Sequence, residues 1–186
     1  MIHVLRHAAA DADIVNLTGH ALGARGMGVE IQAPLVVLSN EMAKKEGVAD
    51  RAKFVTQDLF KTDISQATVV TMYLLPHTVN QLREKLLAEL RPGSRVVSHD
   101  YSLAGWTPHK TFEMDLEEKV SISGVTRTVI YVYVIPAKVA GSWKAVVPPL
   151  LSSEAMRLEL RQEGTSVSGE ALLEGRKMPL ADARLV

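Results

Sequence analysis

An α/β fold with a mostly parallel sheet, followed by a small β appendage, is the architecture this sequence predicts. Three observations point to it. Strand-like and helix-like segments alternate from Gly23 to Lys138, the pattern of parallel strands joined by crossover helices. Ala67 to Leu75 is apolar and rich in β-branched residues, as a central strand buried on both faces should be. The composition then changes near Gly141, and Pro148-Pro149 makes a stiff link to short strand-like segments.

The elements follow in order. Gly28 to Ile31 reads as a short buried strand. Pro34 opens a helix to about Glu46, with Leu35, Leu38 and Met42 on one face, and Gly47 stops it. Ala52 to Leu59 is the next strand, and Ala67 to Leu75 the one after. Pro76 starts a helix to Leu90, with Val79, Leu82, Leu86 and Leu90 at helical spacing. Arg91-Pro92-Gly93 breaks it, and Ser94 to Tyr101 is another strand. Val120–Ile122 and Arg127–Ile135 read as a hairpin that finishes the sheet, with its last strand antiparallel. Met156–Arg161, Ser166–Leu173 and Met178–Val186 read as strands of the appendage, with turns at Gly164 and Gly175. The division expected is a main domain over 1–140 and an appendage over 141–186.

Composition excludes several classes. The chain has 186 residues, 47% of them hydrophobic, enough for a real core. No window is apolar enough to span a bilayer, and Met1 to Ala12 lacks the pattern of a secretory signal. There is no cysteine, hence no disulfide frame, thiolate nucleophile or Cys-based zinc site. A cytoplasmic protein is the expectation. Acidic and basic residues balance at 21 each, without the basic surface of a nucleic-acid binder. His3 and His7 sit four apart, but no third ligand is near, so no metal site is expected.

In a doubly wound sheet a ligand sits beyond the carboxyl ends of the strands, where their order reverses. Glu30 closes one strand, where a carboxylate can accept hydrogen bonds from both hydroxyls of a ribose; a solvated acid is the alternative. Asp58 closes the next, placed to take the exocyclic amine of an adenine while Leu59 covers the ring. Tyr73, His99 and Asp100 close the two strands that follow. His99 beside Asp100 is either a general-base pair or a histidine hydrogen-bonded near the sheet end. Gly23 to Gly28 holds three glycines but enters a strand instead of leaving one. A dinucleotide loop must follow a strand, so this run reads as a tight helix-to-strand turn. Trp143 reads as a packing residue, and Trp106 as either packing residue or substrate platform.

Several runs together make a more specific pattern: Gly26-Met27-Gly28-Val29-Glu30-Ile31, Gly47-Val48-Ala49-Asp50-Arg51, Gln57-Asp58-Leu59-Phe60, Asp63 to Thr71, and Leu90-Arg91-Pro92-Gly93 through to His99-Asp100. Over Gly23 to Lys138 the chain resembles class I S-adenosylmethionine-dependent methyltransferases. It is most similar to the archaeal protein-lysine methyltransferases and their mitochondrial relatives. The tail from Val139 resembles an extension of bacterial members. The resemblance implies a Rossmann-like sheet and S-adenosylmethionine as cofactor. It implies Glu30 at the ribose, Asp58 and Leu59 at the adenine, and Tyr73 to Leu75 as a wall of the methyl-transfer site. A protein lysine or similar amine is the implied substrate, with Tyr73, His99 and Asp100 as the candidate catalytic residues.

The departure from the family lies at the start. Its members carry an acidic residue and a Gly-x-Gly-x-Gly loop between the first strand and first helix, because backbone must approach the cofactor with positive φ. Counted back from Gly23 without gaps, those positions fall on Arg6, Ala8, Ala10 and Ala12, and only Asp11 keeps the pattern. The remaining cofactor-binding candidates are therefore Ala8, Ala10, Asp11 and Ala12, in a first strand and loop expected to be incomplete. Three functions compete. One is an active methyltransferase. Another is a methyltransferase-like relic acting as a binding module, for which the altered loop speaks. The third is a nicotinamide-dependent oxidoreductase, which would use Glu30 but lacks the glycine fingerprint and has no use for Asp58. Base-methylating enzymes carry an Asn/Asp-Pro-Pro-aromatic turn where this chain reads Met72-Tyr73-Leu74-Leu75-Pro76.

Overall fold

The computed structural model describes residues 2–6 as backbone, and 24–148, 154–180 and 183–185. The chain divides into two compact units, Met1–Ile135 and Pro136–Val186.

The first unit is built on a sheet of β1 (Ile2–Arg6), β2 (Gly26–Glu30), β3 (Ala52–Thr56), β4 (Val69–Tyr73), β5 (Arg95–His99), β6 (Lys110–Asp115) and β7 (Arg127–Val134). The spatial order is β3-β2-β1-β4-β5-β7-β6. β1 to β5 pair in parallel, and β7 runs antiparallel to both β5 and β6. The expected antiparallel closing strand is thus present. β1 is longer than the incomplete strand expected from the sequence: its five residues equal those of β2 and β4.

Among the described residues two helices connect these strands, α1 (Ala33–Lys45) and α2 (Pro76–Glu89), each with proline in its first turn. α2 buries Val79, Leu82 and Leu86, the face its apolar spacing predicts. They join Val70, Met72, Val96, Tyr133 and Ile135 in the main core. In α1 the expected face is wrong. Val36, Ser39 and Ala43 are buried, while Leu38 is 50% exposed. Small side chains let α1 approach β3, and the Ser39 hydroxyl satisfies itself on the Leu35 carbonyl at 2.8 Å. Asn40 completes the contact. Its side chain donates to the Phe54 carbonyl at 2.9 Å and accepts from the Phe54 N–H at 3.2 Å, occupying backbone groups of an edge strand that would otherwise be open.

The closing hairpin also differs from expectation. Val120–Ser123 is a helical turn, α3, preceded by a 3₁₀ turn at Glu117–Lys119. The partner of β7 is instead β6, pairing Phe112 with Ile130 and Asp115 with Arg127. β6 is exposed at every position, although Phe112, Glu113, Met114 and Asp115 alternate apolar and polar residues as a strand does.

The glycines near β2 are not a turn. Gly26 and Gly28 lie inside the strand, and Gly28 pairs with Phe54 of β3. A Cβ on Gly28 would stand 2.3 Å from the Phe54 ring; glycine is what allows the aromatic ring to cover this strand.

The second unit is an antiparallel sheet in the order β11-β10-β9-β8, with β12 beside β10. Its strands are β8 (Gly141–Ala145), β9 (Met156–Glu163), β10 (Ser166–Leu173), β11 (Arg176–Pro179) and β12 (Ala183–Arg184). The single strand expected over Met178–Val186 is split. β11 begins at Arg176, where the turn at Gly175 (φ 76°) reverses the chain, and β12 pairs at the far end of β10.

Gly28→Ala should lower stability by about 1–3 kcal/mol, the usual cost of overpacking, measured by urea unfolding. Combined with Phe54→Leu, the loss should be smaller than the sum of the two single changes. Strict additivity would show that the ring does not set the requirement for glycine.

Candidate functional site

The strand order reverses between β1 and β4: the chain leaves β1 outward through β2 and β3, then returns to β4 on the other flank. Arg6, the last residue of β1, is the register partner of Tyr73, the last residue of β4. Ligands of open α/β sheets bind beyond such a reversal. Large apolar side chains stand exposed just past the strand ends on both flanks: Ile31 is 63% and Leu75 61% exposed, with Phe60 and Tyr101 about 40%. Water-facing apolar surface gathered at one edge of a sheet marks a binding region.

Glu30 ends β2 and is half-buried. Its Oε1 accepts from the N–H groups of Ile31 and Gln32 at 2.7 and 2.8 Å. The carboxylate therefore supports the entry to α1, where Gln32 makes no side-chain cap of its own. Asp58 lies two residues beyond Thr56, the end of β3, because β3 is shorter than the expected Ala52–Leu59. Its Oδ1 accepts from the Phe60 N–H at 2.9 Å, and its Oδ2 is 3.9 Å from Lys61 Nζ. The Gln57 N–H donates to the Glu30 carbonyl at 3.0 Å, which ties the two strand ends together. Leu59 is half-buried against the main core, so its side chain has a fixed seat beside Asp58.

On the other flank the structure gathers Tyr73, His99 and Asp100. The Tyr73 and His99 rings meet at 4.5 Å between centroids, 39° apart, and His99 Nε2 is 3.8 Å from Asp100 Oδ1. Asp100 adopts φ 63°, a left-handed conformation that surroundings must enforce for a non-glycine residue. Its N–H donates to the Val129 carbonyl at 2.7 Å, while its Oδ1 accepts from the Val129 N–H at 3.0 Å. Lys119, buried, places its ammonium 2.5 Å from Asp100 Oδ2 and donates to the Arg127 carbonyl. Burial alone would raise the Asp100 carboxyl, but the Lys119 hydrogen bond, the Val129 N–H and the charges of His99 and Lys119 outweigh it and hold it below its ordinary value of 3.8. Asp100 is thereby a stable anion and a poor proton acceptor.

The loop after β5 is pinned as well. The Ser98 hydroxyl donates to the Tyr101 carbonyl at 2.6 Å, the Leu103 N–H to the Tyr133 hydroxyl at 2.8 Å, and the Ala104 N–H to Asn80 Oδ1 at 2.7 Å. Burial pushes the Tyr133 phenol up. Trp106 is buried against the Tyr133 ring at 5.1 Å, which settles it as a packing residue. Trp143 is about half exposed, its indole N–H donating to the Val139 carbonyl.

Ala8, Ala10, Asp11 and Ala12 lie outside the described residues. Sequence reasoning missed Lys119, Asn80, Ser98 and Tyr133, whose roles depend on partners distant in sequence; Lys119 also adjoins Val120–Ile122, whose residues read as a strand. Among the described residues, no group of three or more His, Asp or Glu could share a metal ion. Nor is any helix among them long and apolar enough to cross a membrane.

Comparison with known proteins follows the same outline. A family model described as the ANTKMT methyltransferase domain matches residues 9–110, more than half of the chain. The chain is 38% identical over 111 residues to a protein-lysine N-methyltransferase of Saccharolobus islandicus (strain REY15A), covering 60% of this chain and 65% of that one. It is 35% identical over 101 residues to the adenine nucleotide translocase lysine N-methyltransferase of Mus musculus, covering 54% and 44%. The chain thus spans less than two thirds of the length of these curated relatives. The crystal structure of an RNA methyltransferase from Salinibacter ruber, in complex with S-adenosyl-L-homocysteine, superposes with a TM-score of 0.62 at 40% identity, covering 74% of this chain and 82% of that one.

Because Asp100 is held below 3.8, its contribution to stability is present above that value and is lost as pH falls through the lowered one. Asp100→Asn should lower stability at neutral pH and flatten this acid limb, followed by urea unfolding across the acid range. An unchanged limb in the variant would place the acid sensitivity elsewhere.

Proposed function

The chain belongs to the ANTKMT methyltransferase domain family, and from that premise we propose that it transfers a methyl group from S-adenosylmethionine to a protein lysine or similar amine. The observation that carries this reading is the pairing of two sites across one reversal of strand order. Acceptors for ribose and adenine, Glu30 and Asp58 with Leu59, lie on one flank, and the Tyr73–His99 ring pair lies on the other. The donor set fits the cofactor: carboxylate oxygens suit ribose hydroxyls and an adenine amine, and Ile31 and Leu59 offer apolar surface to a base.

Bound S-adenosylmethionine supplies an electrophilic methyl group on a sulfonium. The chain's work is positioning and the exclusion of water. Glu30 and Asp58 orient the nucleoside. Tyr73 to Leu75, with His99, wall the acceptor side, where apolar surroundings favour the neutral amine that a lysine must become before its lone pair can attack. Asp100, a stable anion, fixes the turn that carries His99. A protein substrate is favoured over nucleic acid by the balance of 21 acidic and 21 basic residues and by Met72-Tyr73-Leu74-Leu75-Pro76 in place of a base-methylating turn. This reading places the chemistry on 1–140, keeps 141–186 as a separate β appendage, and sets the protein in the cytoplasm, which the absence of cysteine suits.

Alanine at positions 8, 10 and 12 and arginine at position 6 favour a second reading, an impaired enzyme that survives as a binding module. β1 ends at Arg6, where the ungapped count puts the family's acidic residue, so this position carries a basic residue where the family has an acidic one. If the loop needed left-handed geometry at two of these alanines, the cost of about 1–2 kcal/mol each would weaken binding by roughly thirtyfold to several hundredfold.

Calorimetric titration with S-adenosylmethionine separates the readings. The chain as it stands should bind more weakly, by that factor, than a variant carrying Arg6→Asp, Ala8→Gly, Ala10→Gly and Ala12→Gly. Micromolar binding by the unaltered chain would overturn the loop assignment. No methylation of lysine peptides by the restored variant, with transfer to RNA instead, would overturn the substrate.

A further inference from the structure

Asp100 is one of only two non-glycine residues with positive φ among the described residues, and it immediately follows the histidine stacked on Tyr73. Such a conformation persists only where the surroundings over-determine it. Three contacts do so here: the Asp100 N–H on the Val129 carbonyl, the Val129 N–H on Asp100 Oδ1, and the Lys119 ammonium on Asp100 Oδ2. The first two lie within the β5–β7 end of the sheet. The third comes from outside it, from a 3₁₀ turn whose own place is fixed by the Lys119 bond to the Arg127 carbonyl. A lysine with a side chain 9% exposed is retained only where its charge is matched. Its match is a residue adjoining the proposed acceptor wall.

We propose that Lys119 is a positioning residue for methyl transfer, holding the Asp100 turn and through it the His99 ring against Tyr73. This inference rests on the methyltransferase reading, with Tyr73 and His99 forming the acceptor wall. Lys119 acts through Asp100 and neither gives nor takes a proton. Its ammonium draws the 3₁₀ turn and the end of β7 onto the carboxyl end of β5, so the acceptor wall is completed by a segment beyond the parallel strands. Replacing the ammonium by an apolar group leaves the Asp100 carboxylate without its cation, and the carboxylate then turns to water and releases the left-handed turn.

The test uses the full chain with Lys119→Met, Lys119→Arg and Asp100→Asn. The first readout needs no cofactor. Proton NMR should show cross-relaxation between the Tyr73 and His99 rings in the native chain, reduced at least about fivefold in Lys119→Met and Asp100→Asn and restored in Lys119→Arg. The size is set by the steep distance dependence of the signal, since loss of one buried partner lets the ring move away. Persistence of the full signal in a folded Lys119→Met chain overturns the proposal. If Lys119→Met fails to fold, Asp100→Asn, which keeps an acceptor for the Val129 N–H, decides by the same signal. The second readout is methyl transfer to a lysine peptide. kcat should fall on the order of tenfold to a hundredfold, as misplacement of a reacting wall produces, while the S-adenosylmethionine Kd stays within about twofold. An equal loss in Kd and kcat overturns the assignment to the acceptor side. A native chain that transfers no methyl group while the ring signal follows Lys119 overturns the methyltransferase reading and not the hold on His99.

Discussion

Parallel pairing of β1 with both β2 and β4 is the constraint on which the rest of this protein depends. Once the central strand has a parallel neighbour on each flank, the chain must leave its carboxyl end and return by crossover connections. Every connection that starts at a strand end then begins at one edge of the sheet. Glu30, Asp58, Tyr73 and His99 belong to four successive connections and are gathered there by that geometry. The same pairing explains the Gly28–Phe54 contact. β2 lies between β1 and β3, so a residue with no side chain leaves room for the neighbouring ring.

The two flanks of the reversal are stabilised in different ways. On the Glu30 side the acids hold local backbone: Glu30 takes two amides at the start of α1, and Asp58 takes one at the turn after β3. Carboxylates used like this are oriented before any ligand arrives, which lowers the ordering cost of binding. On the His99 side the support is long-range, from β7, the 3₁₀ turn and α2, all converging on residues 98–104. A wall assembled from so many separate elements suits a role in which geometry, more than proton transfer, carries the reaction.

Substrate choice among the relatives differs by name, with lysine for the curated enzymes and RNA for the Salinibacter ruber structure. The shared part is the sheet and its carboxyl edge. The local features of this chain that bear on the acceptor are the apolar Leu74-Leu75-Pro76 connection and the ring pair beside it. Both are made by the ends of β4 and β5.

Much of the architecture was legible because burial writes itself into residue type. A strand inside a parallel sheet is rich in apolar and β-branched residues, as Val69 to Tyr73 is, and a helix on a sheet must repeat its buried positions, as Val79, Leu82 and Leu86 do. The strand-end acids were equally legible, since each lies at a countable distance from such a segment, while Ala8, Ala10 and Ala12 lie outside the described residues. Where burial and residue type part, the reading failed. β6 alternates apolar and polar residues yet is exposed along its length, and α1 turns Ser39 and Ala43 inward because closeness to β3 mattered more than apolarity. Only the tertiary structure decided that Lys119 meets Asp100, that Trp106 packs on Tyr133, and that His99 lies on Tyr73. These are pairings between residues far apart in the chain. Their energy depends on distance and on exclusion from water, and neither exists until the sheet has closed.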